Sequence, residues 1–360
     1  MKYVFPAHQP DPPETADGRW NKHAVGRFPF AGPTEIPESM LMDQVVTTES
    51  LSWLLEFADQ RPDQPWFFRA SYSRPHFPLT APGRYFRKYL SSELRMSQLS
   101  SGYPEDLHPQ DRFIVDDFSL MQFSQEEHRR ALAGYYALVD YVDDCIGSLL
   151  EGLRQAGCLE NTYVVYTTDH GNMAGEHDLW WKRTYYEASA RIPMLISGPG
   201  IEGCRAVSTP VELVDLFPTF CHWAEMEVPS ELNGESLVPL LKGQPEQREK
   251  KTVRSELLGG NVEMQFQMIR DERWKYVEFS EAGPRLFDLA SDPTSEAPVG
   301  ELRDLLADEG TFETIGEMRE KDRQRSDRPA SKSKGALQYR LANGRIIEAD
   351  AALYGDKDLK

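Results

Sequence analysis

The stretch from Glu126 to Gly200 limits the fold more than any other part of the chain. Leu132, Tyr135, Tyr136, Val139, Val142, Ile146, Leu149, Leu150 and Leu153 recur at helical intervals, which predicts one long amphipathic helix over 126–156. Gly157 stands where that helix would stop. The apolar run 163–168 then reads as a strand, and 192–197, closed by Gly198-Pro199-Gly200, reads as another. Strands with near-continuous apolar runs beside a long helix imply an α/β fold, a mostly parallel sheet covered by helices on both faces.

Other segments fit around that unit. Positions 6–37 are rich in proline and glycine without a period, so they read as irregular surface chain. Positions 40–57 carry a helical pattern, and the aromatic run 66–72, bounded by Pro65 and Pro75, reads as a short buried strand. A helix is expected over 211–224, with Pro218 marking either a break or the first turn of a new helix. Runs 266–270 and 274–279 around Asp271-Glu272-Arg273 read as a β-hairpin, with 286–289 as a third strand. These patterns divide the chain into an α/β domain over 1–244, a small α+β subdomain over 245–300 and a charged, partly flexible tail over 301–360.

The chemistry gathers at a few positions. Asp169-His170-Gly171 closes the run 163–168, at the strand end where α/β folds place ligands, and an aspartate with a histidine there can hold a divalent cation. Lys182, thirteen positions beyond Asp169 and flanked by Trp181, is placed to become a partly desolvated anion ligand. Taken alone, Asp169 could equally cap a turn, and Lys182 could lie over aromatic carbon at the surface. His76 sits between Pro75 and Pro78, which restrict the backbone beside the imidazole.

Charge narrows the partners. With 40 basic and 58 acidic residues the net charge is -18, which argues against nucleic-acid binding. An acidic chain that handles an anion must build a local positive site. Cys145, Cys158, Cys204 and Cys221 are scattered and imply neither a disulfide framework nor a structural zinc site. No signal peptide or membrane-spanning run is expected, which gives a cytoplasmic default and no membrane partner.

The stretch TTDHGNMAGEHDLWWKRTYYEASARIPMLISGPG resembles the second metal-binding block of the sulfatases, in the alkaline-phosphatase-like superfamily. Pro75-His76-Phe77-Pro78 is similar to the family element whose histidine touches the sulfate. Blocks around Gly134, Val211, Gly234 and Leu286 extend the likeness from about Asp43 to Pro293, and the spelling is similar to choline-sulfatase-like and related bacterial members. The resemblance implies a sulfuric ester hydrolase cleaving a small-molecule or sugar sulfate. In it Asp169 and His170 hold a divalent cation, expected to be Ca²⁺, and His76 and Lys182 contact the sulfate. His76 serves as proton donor, and Glu176 and His177 stand behind the ligands. A homo-oligomer is left open.

One family element is not found. None of the four cysteines, and no serine, has proline two and arginine four positions on, so the formylglycine nucleophile of the family is not encoded here. Met1 is expected to fall inside the family's catalytic domain, leaving an N-terminally truncated fold that is weak or inactive alone. Enzymes lower barriers by about 8–23 kcal/mol, whereas one charge-assisted hydrogen bond contributes about 1.5–3 kcal/mol. Two other readings follow: a phosphonate or phosphodiester hydrolase of the same superfamily, and a noncatalytic oxyanion-binding or interaction protein.

Overall fold

The computed structural model describes residues 31–61, 63–96, 107–117, 124–258, 265–290, 292–296, 338–340 and 346–348. Most of the irregular stretch 6–37 and of the tail 301–360 lies outside them. In chain order the elements are β1 (Gly32–Pro33), α1 (Met42–Gln60), β2 (Thr80–Ala81), α2 (Gly83–Leu90), α3 (Pro109–Asp117), α4 (Gln125–Gln155), β3 (Val164–Thr167), β4 (Met173–Ala174) and β5 (Trp180–Trp181). Then come α5 (Glu187–Ala190), β6 (Met194–Ser197), α6 (Leu216–Trp223), β7 (Val253–Leu257), β8 (Phe266–Arg270), β9 (Trp274–Phe279), β10 (Arg285–Asp288) and β11 (Asp292–Glu296). The chain divides into two compact units, one of 1–98, 115–160 and 321–360, the other of 99–114 and 161–320.

The first unit is organised by α4. Ser124 and Glu127 close a reciprocal capping box at its start, satisfying N–H groups the helix itself cannot pair. At its end Gly157 takes φ +70°, and the Cys158 N–H reaches back to the Leu153 carbonyl. Ala131, Leu132, Ala137, Leu138, Tyr141 and Val142 are buried on one face, against which α1 and α2 pack. Gly134 permits a close approach of backbone to the helix, since a Cβ there would lie 2.5 Å from the Leu79 carbonyl. Tyr136 and Val139, expected on the apolar face, are instead 41% exposed. The period-3.6 stripe was drawn too wide.

The second unit departs from the expected sheet. β3 and β6 pair antiparallel, with Val164 opposite Ser197 and Thr167 opposite Met194. A parallel neighbour needs a crossover of a dozen or more residues, usually a helix. The connection here carries only the β4–β5 hairpin and the four-residue α5, and the chain returns in the opposite direction. The run 163–168 is also less buried than its composition suggests, with Tyr163 and Tyr166 each 38% exposed. Among the described residues the parallel pairing is that of β1 with β2, in the first unit.

The aromatic run 66–72 forms no ladder among the described residues. It keeps the period of a strand, since 66, 68, 70 and 72 are half-buried while 67, 69 and 71 are exposed. Backbone pairing, which side-chain alternation does not guarantee, is what it lacks.

The hairpin of β8 and β9 forms at the expected positions, with Arg270 opposite Lys275 and the Asp271 carboxylate accepting the N–H groups of Arg273 and Trp274. It extends into an antiparallel meander ordered β11-β10-β9-β8-β7, with Ile269, Tyr276 and Leu286 clustered in its core. The boundary drawn near residue 245 falls inside the second unit. The meander is bound to the residues before it: the Lys275 ammonium meets the Tyr185 carbonyl at 3.1 Å and the Glu187 carboxylate at 3.0 Å. α6 begins at Leu216, five residues after the expected start, with Pro218 in its first turn, where a missing N–H costs nothing.

Candidate active site

The chain leaves β3 at Thr167, whose hydroxyl donates to the Pro193 carbonyl at 2.9 Å, and turns at Thr168-Asp169-His170-Gly171. The turn is built on Asp169: its Oδ1 accepts the His170 N–H at 3.0 Å and the Thr168 hydroxyl at 3.2 Å. Desolvation, the largest single cause, pushes the Asp169 carboxyl up, but the adjacent His170, the His170 and Asp169 N–H groups and the Thr168 hydroxyl together outweigh it and hold the carboxyl below its ordinary value. The side chain is 80% exposed. Gly171 is required by contact with α5: its N–H donates to the Ser189 carbonyl at 2.7 Å, and a Cβ would stand 2.1 Å from the Ala188 carbonyl.

The His170 ring is oriented from both sides. Nδ1 lies 2.8 Å from the Gly171 carbonyl, which can only accept, so Nδ1 carries the proton and Nε2 presents a lone pair in the neutral ring. The Lys182 ammonium meets that lone pair at 2.8 Å, and Asp169 Oδ2 is 3.5 Å from it. Asp169, His170 and Lys182 are therefore brought together. A carboxylate and an imidazole nitrogen suit two positions around a divalent cation once the ammonium turns away from the Nε2 lone pair it now holds. Among the described residues no group of three or more His, Cys, Asp or Glu could hold a metal. The fit is to a pair of protein ligands.

Lys182 is delivered by strained backbone. His177, Asp178, Trp181 and Arg183 take φ of 52°, 60°, 75° and 74°, left-handed values that non-glycine residues avoid. Such residues persist where the surroundings over-determine them, and they gather at functional sites. Here the surroundings are Met173, Leu179, Trp180 and Trp181, all buried, with β4 paired to β5. Glu176 accepts the Ala174 N–H at 2.7 Å, and His177 stacks on Tyr186 at 3.8 Å between ring centroids. Burial, then the nearby Lys275 and Arg285, lowers the His177 pKa from 6.5.

His76 belongs to the first unit. It is exposed, and its Nδ1 lies 2.9 Å from the Phe77 carbonyl, which fixes the proton on Nδ1 as in His170. The Arg74–Pro75 and Phe77–Pro78 peptide bonds are cis.

Several supporting residues escaped the sequence reading. Asp111, buried in α3, receives the Tyr186 hydroxyl at 2.9 Å and Arg285 at 3.3 Å, and Tyr185 joins the same cluster. Burial, then Asp111, raises the pKa of both tyrosines. Glu187 holds Lys275 and, at 2.6 Å, Arg270. No pattern in the sequence joins positions so far apart. Lys275 gave a hint, as a lysine between Trp274 and Tyr276 in β9.

Comparison with known proteins identifies the family. Residues 8–226 match the family model described as Sulfatase, and residues 175–327 match that described as N-sulphoglucosamine sulphohydrolase, C-terminal. The chain is 34% identical over 282 residues to arylsulfatase K of Bos taurus, covering 71% of this chain and 51% of the relative. It is 30% identical over 311 residues to the choline-sulfatase of Rhizobium meliloti (strain 1021), covering 83% and 59%. The chain thus spans about half the length of the curated relatives it matches. Among solved structures, a phosphonate monoester hydrolase from Silicibacter pomeroyi aligns with a TM-score of 0.64 at 25% identity over 94% of this chain and 68% of its own. A 2-O GAG sulfatase aligns at 0.60 and 23% over 82% and 68%, a likeness of fold.

Proposed function

Because the chain belongs to the sulfatase family, we propose that it serves the hydrolysis of a sulfate monoester, on a small molecule or a sugar, as the part of the centre that grips the sulfate and its cation. The observation that carries the reading is the Asp169, His170 and Lys182 cluster, in which one imidazole nitrogen is kept unprotonated beside a carboxylate and an ammonium. Asp169 and His170 would hold the divalent cation, expected to be Ca²⁺. A hard cation there supplies withdrawal of charge from the sulfate oxygens. Lys182 adds a fixed positive charge toward the same anion. His76, when protonated at both ring nitrogens, donates its Nε2 proton to the leaving oxygen, Nδ1–H being held by the Phe77 carbonyl. The nucleophile of the family is not among these residues, since no C-x-P-x-R or S-x-P-x-R occurs in the 360.

Thermal unfolding with added CaCl₂ and sodium sulfate tests this. A ligand at 100 times its Kd stabilises by about 2.7 kcal/mol. Ca²⁺ should raise the Tm of the native chain and leave Asp169→Ala unmoved, and sulfate should add a further rise that Lys182→Met removes. Equal Ca²⁺ shifts in native chain and Asp169→Ala would end the assignment.

The likeness to a phosphonate monoester hydrolase over 94% of the chain favours a second reading, a phosphonate ester as substrate. Turnover of aryl sulfate against aryl phosphonate separates the two. Ion binding without turnover of either leaves a noncatalytic oxyanion binder.

A further inference from the structure

The loop that carries His76 is held by a buried carboxylate and a guanidinium, neither of which reaches the imidazole. Asp43, in the first turn of α1, is 1% exposed. Its Oδ1 accepts the backbone N–H groups of Ser73 at 2.7 Å and Arg74 at 3.2 Å, and Oδ2 lies 3.9 Å from Arg74 Nε. The Arg74 side chain, 19% exposed, turns along its own loop: one Nη1 donates to the His76 carbonyl at 2.8 Å and to the Pro78 carbonyl at 2.7 Å. The His76 N–H closes the turn onto the Ser73 carbonyl at 3.1 Å. One further contact fixes α1 to the run before the loop: the Thr47 hydroxyl, which donates to the Asp43 carbonyl within α1 at 2.9 Å, lies 3.3 Å from the Tyr72 hydroxyl.

A buried carboxylate is costly unless its oxygens are satisfied, and here its partners are loop N–H groups and one guanidinium. Arg74 is likewise desolvated, which lowers its pKa, against the opposing pull of Asp43. The arrangement is therefore a strut with one end in a helix core and the other on the two carbonyls that bracket residues 76–78. Those carbonyls, with the Phe77 carbonyl between them accepting from His76 Nδ1, set where the ring points and which nitrogen carries its proton. Lysine is not an equivalent, because a single ammonium on a flexible stem cannot hold the two carbonyls and face Asp43 Oδ2 at once, as Nη1 and Nε of the guanidinium do.

We infer that Asp43 and Arg74 are positioning residues for His76: they fix the loop so that the imidazole keeps its proton on Nδ1 and turns Nε2 away from its own backbone. The inference rests on the reading of His76 as a sulfate-facing group, but its test does not.

The test is ¹⁵N NMR of the full chain with labelled histidine, native and as Arg74→Lys, Asp43→Asn and, for assignment among the 8 histidines, His76→Gln. The native His76 ring above pH 8 should show one protonated Nδ1 and one unprotonated Nε2. In Arg74→Lys the two shifts should move toward each other as the tautomers mix, while the other histidine signals and the Tm stay within a few degrees of native. Asp43→Asn should show the same mixing, with a lower Tm. If Asp43→Asn fails to fold, Arg74→Lys decides alone. An unmoved His76 pair in folded Arg74→Lys overturns the inference, as does mixing spread over all histidines, which would mark a general loosening. Sodium sulfate added to the native chain is a separate arm: no shift of His76 would remove its sulfate role and leave the strut standing.

Discussion

Glu187 is where the stability of the second unit meets the site. It begins α5, whose Ser189 carbonyl receives the Gly171 N–H, and its carboxylate holds Lys275 at 3.0 Å and Arg270 at 2.6 Å. The Lys275 side chain is 1% exposed and that of Glu187 is 25% exposed. Removing one member of a buried pair costs about 3–5 kcal/mol, because the other is left charged and dry. With Glu187 a quarter exposed, the lower end applies, and Glu187→Gln should cost about 2–3 kcal/mol. Lys275→Met leaves Glu187 still paired with Arg270 and should cost about 1 kcal/mol, since only buried partners of the ammonium are lost. The double variant should cost no more than Glu187→Gln alone, a coupling of about 1 kcal/mol or more. Burial lowers the Lys275 pKa from 10.5 while Glu187 raises it. Without Glu187 the folded value falls further, so the deficit of Glu187→Gln is full below that value and shrinks as pH rises toward 10.5. Urea midpoints at pH 7 and pH 9.5, with unchanged slopes, give both quantities. Additive single losses, coupling below about 0.5 kcal/mol, would refute the pairing as the source of the stability.

Three further outcomes follow from other contacts. Gly171→Ala places a Cβ 2.1 Å from the Ala188 carbonyl, so it should cost more than about 2 kcal/mol and abolish the Ca²⁺-dependent rise in Tm; a native melting curve would contradict the packing. Arg248→Met takes away the guanidinium 2.8 Å from the Asp215 carboxylate, both side chains being 0% exposed, and leaves that carboxylate the Glu212 and Glu235 N–H groups and Lys250, so it should cost about 3 kcal/mol in urea unfolding; a loss below about 1 kcal/mol would show that these suffice. His177 has a folded pKa below 6.5, so as pH falls through 6.5 the unfolded chain takes up the proton first and stability drops until the folded pKa is passed. His177→Phe, which keeps the stack on Tyr186, should flatten that slope between pH 7.5 and pH 5, and an identical slope would assign it to other groups.

The sequence announced what depends on neighbours a few residues away. The long helix over 126–156, its stop at Gly157 and the β8–β9 hairpin were legible because period and turn chemistry are local, and they form at those positions. The turn Asp169-His170-Gly171 was legible for the same reason. The direction of β6 was not, because pairing sense depends on the path of 168–193, which no residue type encodes. The run 66–72 misled because alternating burial does not require a ladder partner. Asp43 and Asp111 stayed hidden as ordinary acidic residues of helices, since their partners lie 30 and 74 positions away.

Lys182 is held in place by the burial of its neighbours. Four left-handed residues in the span 177–183 cost about 1–2 kcal/mol each, some 4–8 kcal/mol together, a large share of the 5–15 kcal/mol that holds a whole domain. The four large side chains that the same segment and β4 bury, Met173, Leu179, Trp180 and Trp181, contribute about 1.5–3 kcal/mol each, some 6–12 kcal/mol, which covers the strain with little left over. The segment is thus locked in a backbone that no sequence of free turns would choose, with an ammonium 2.8 Å from the unprotonated nitrogen of His170 at its tip. With the backbone fixed before an anion arrives, only the side chain need turn from His170 to the anion, and that smaller reorganisation is how such a site outperforms a mobile lysine in water. The strain is explained if the position of Lys182 is what the segment exists to set.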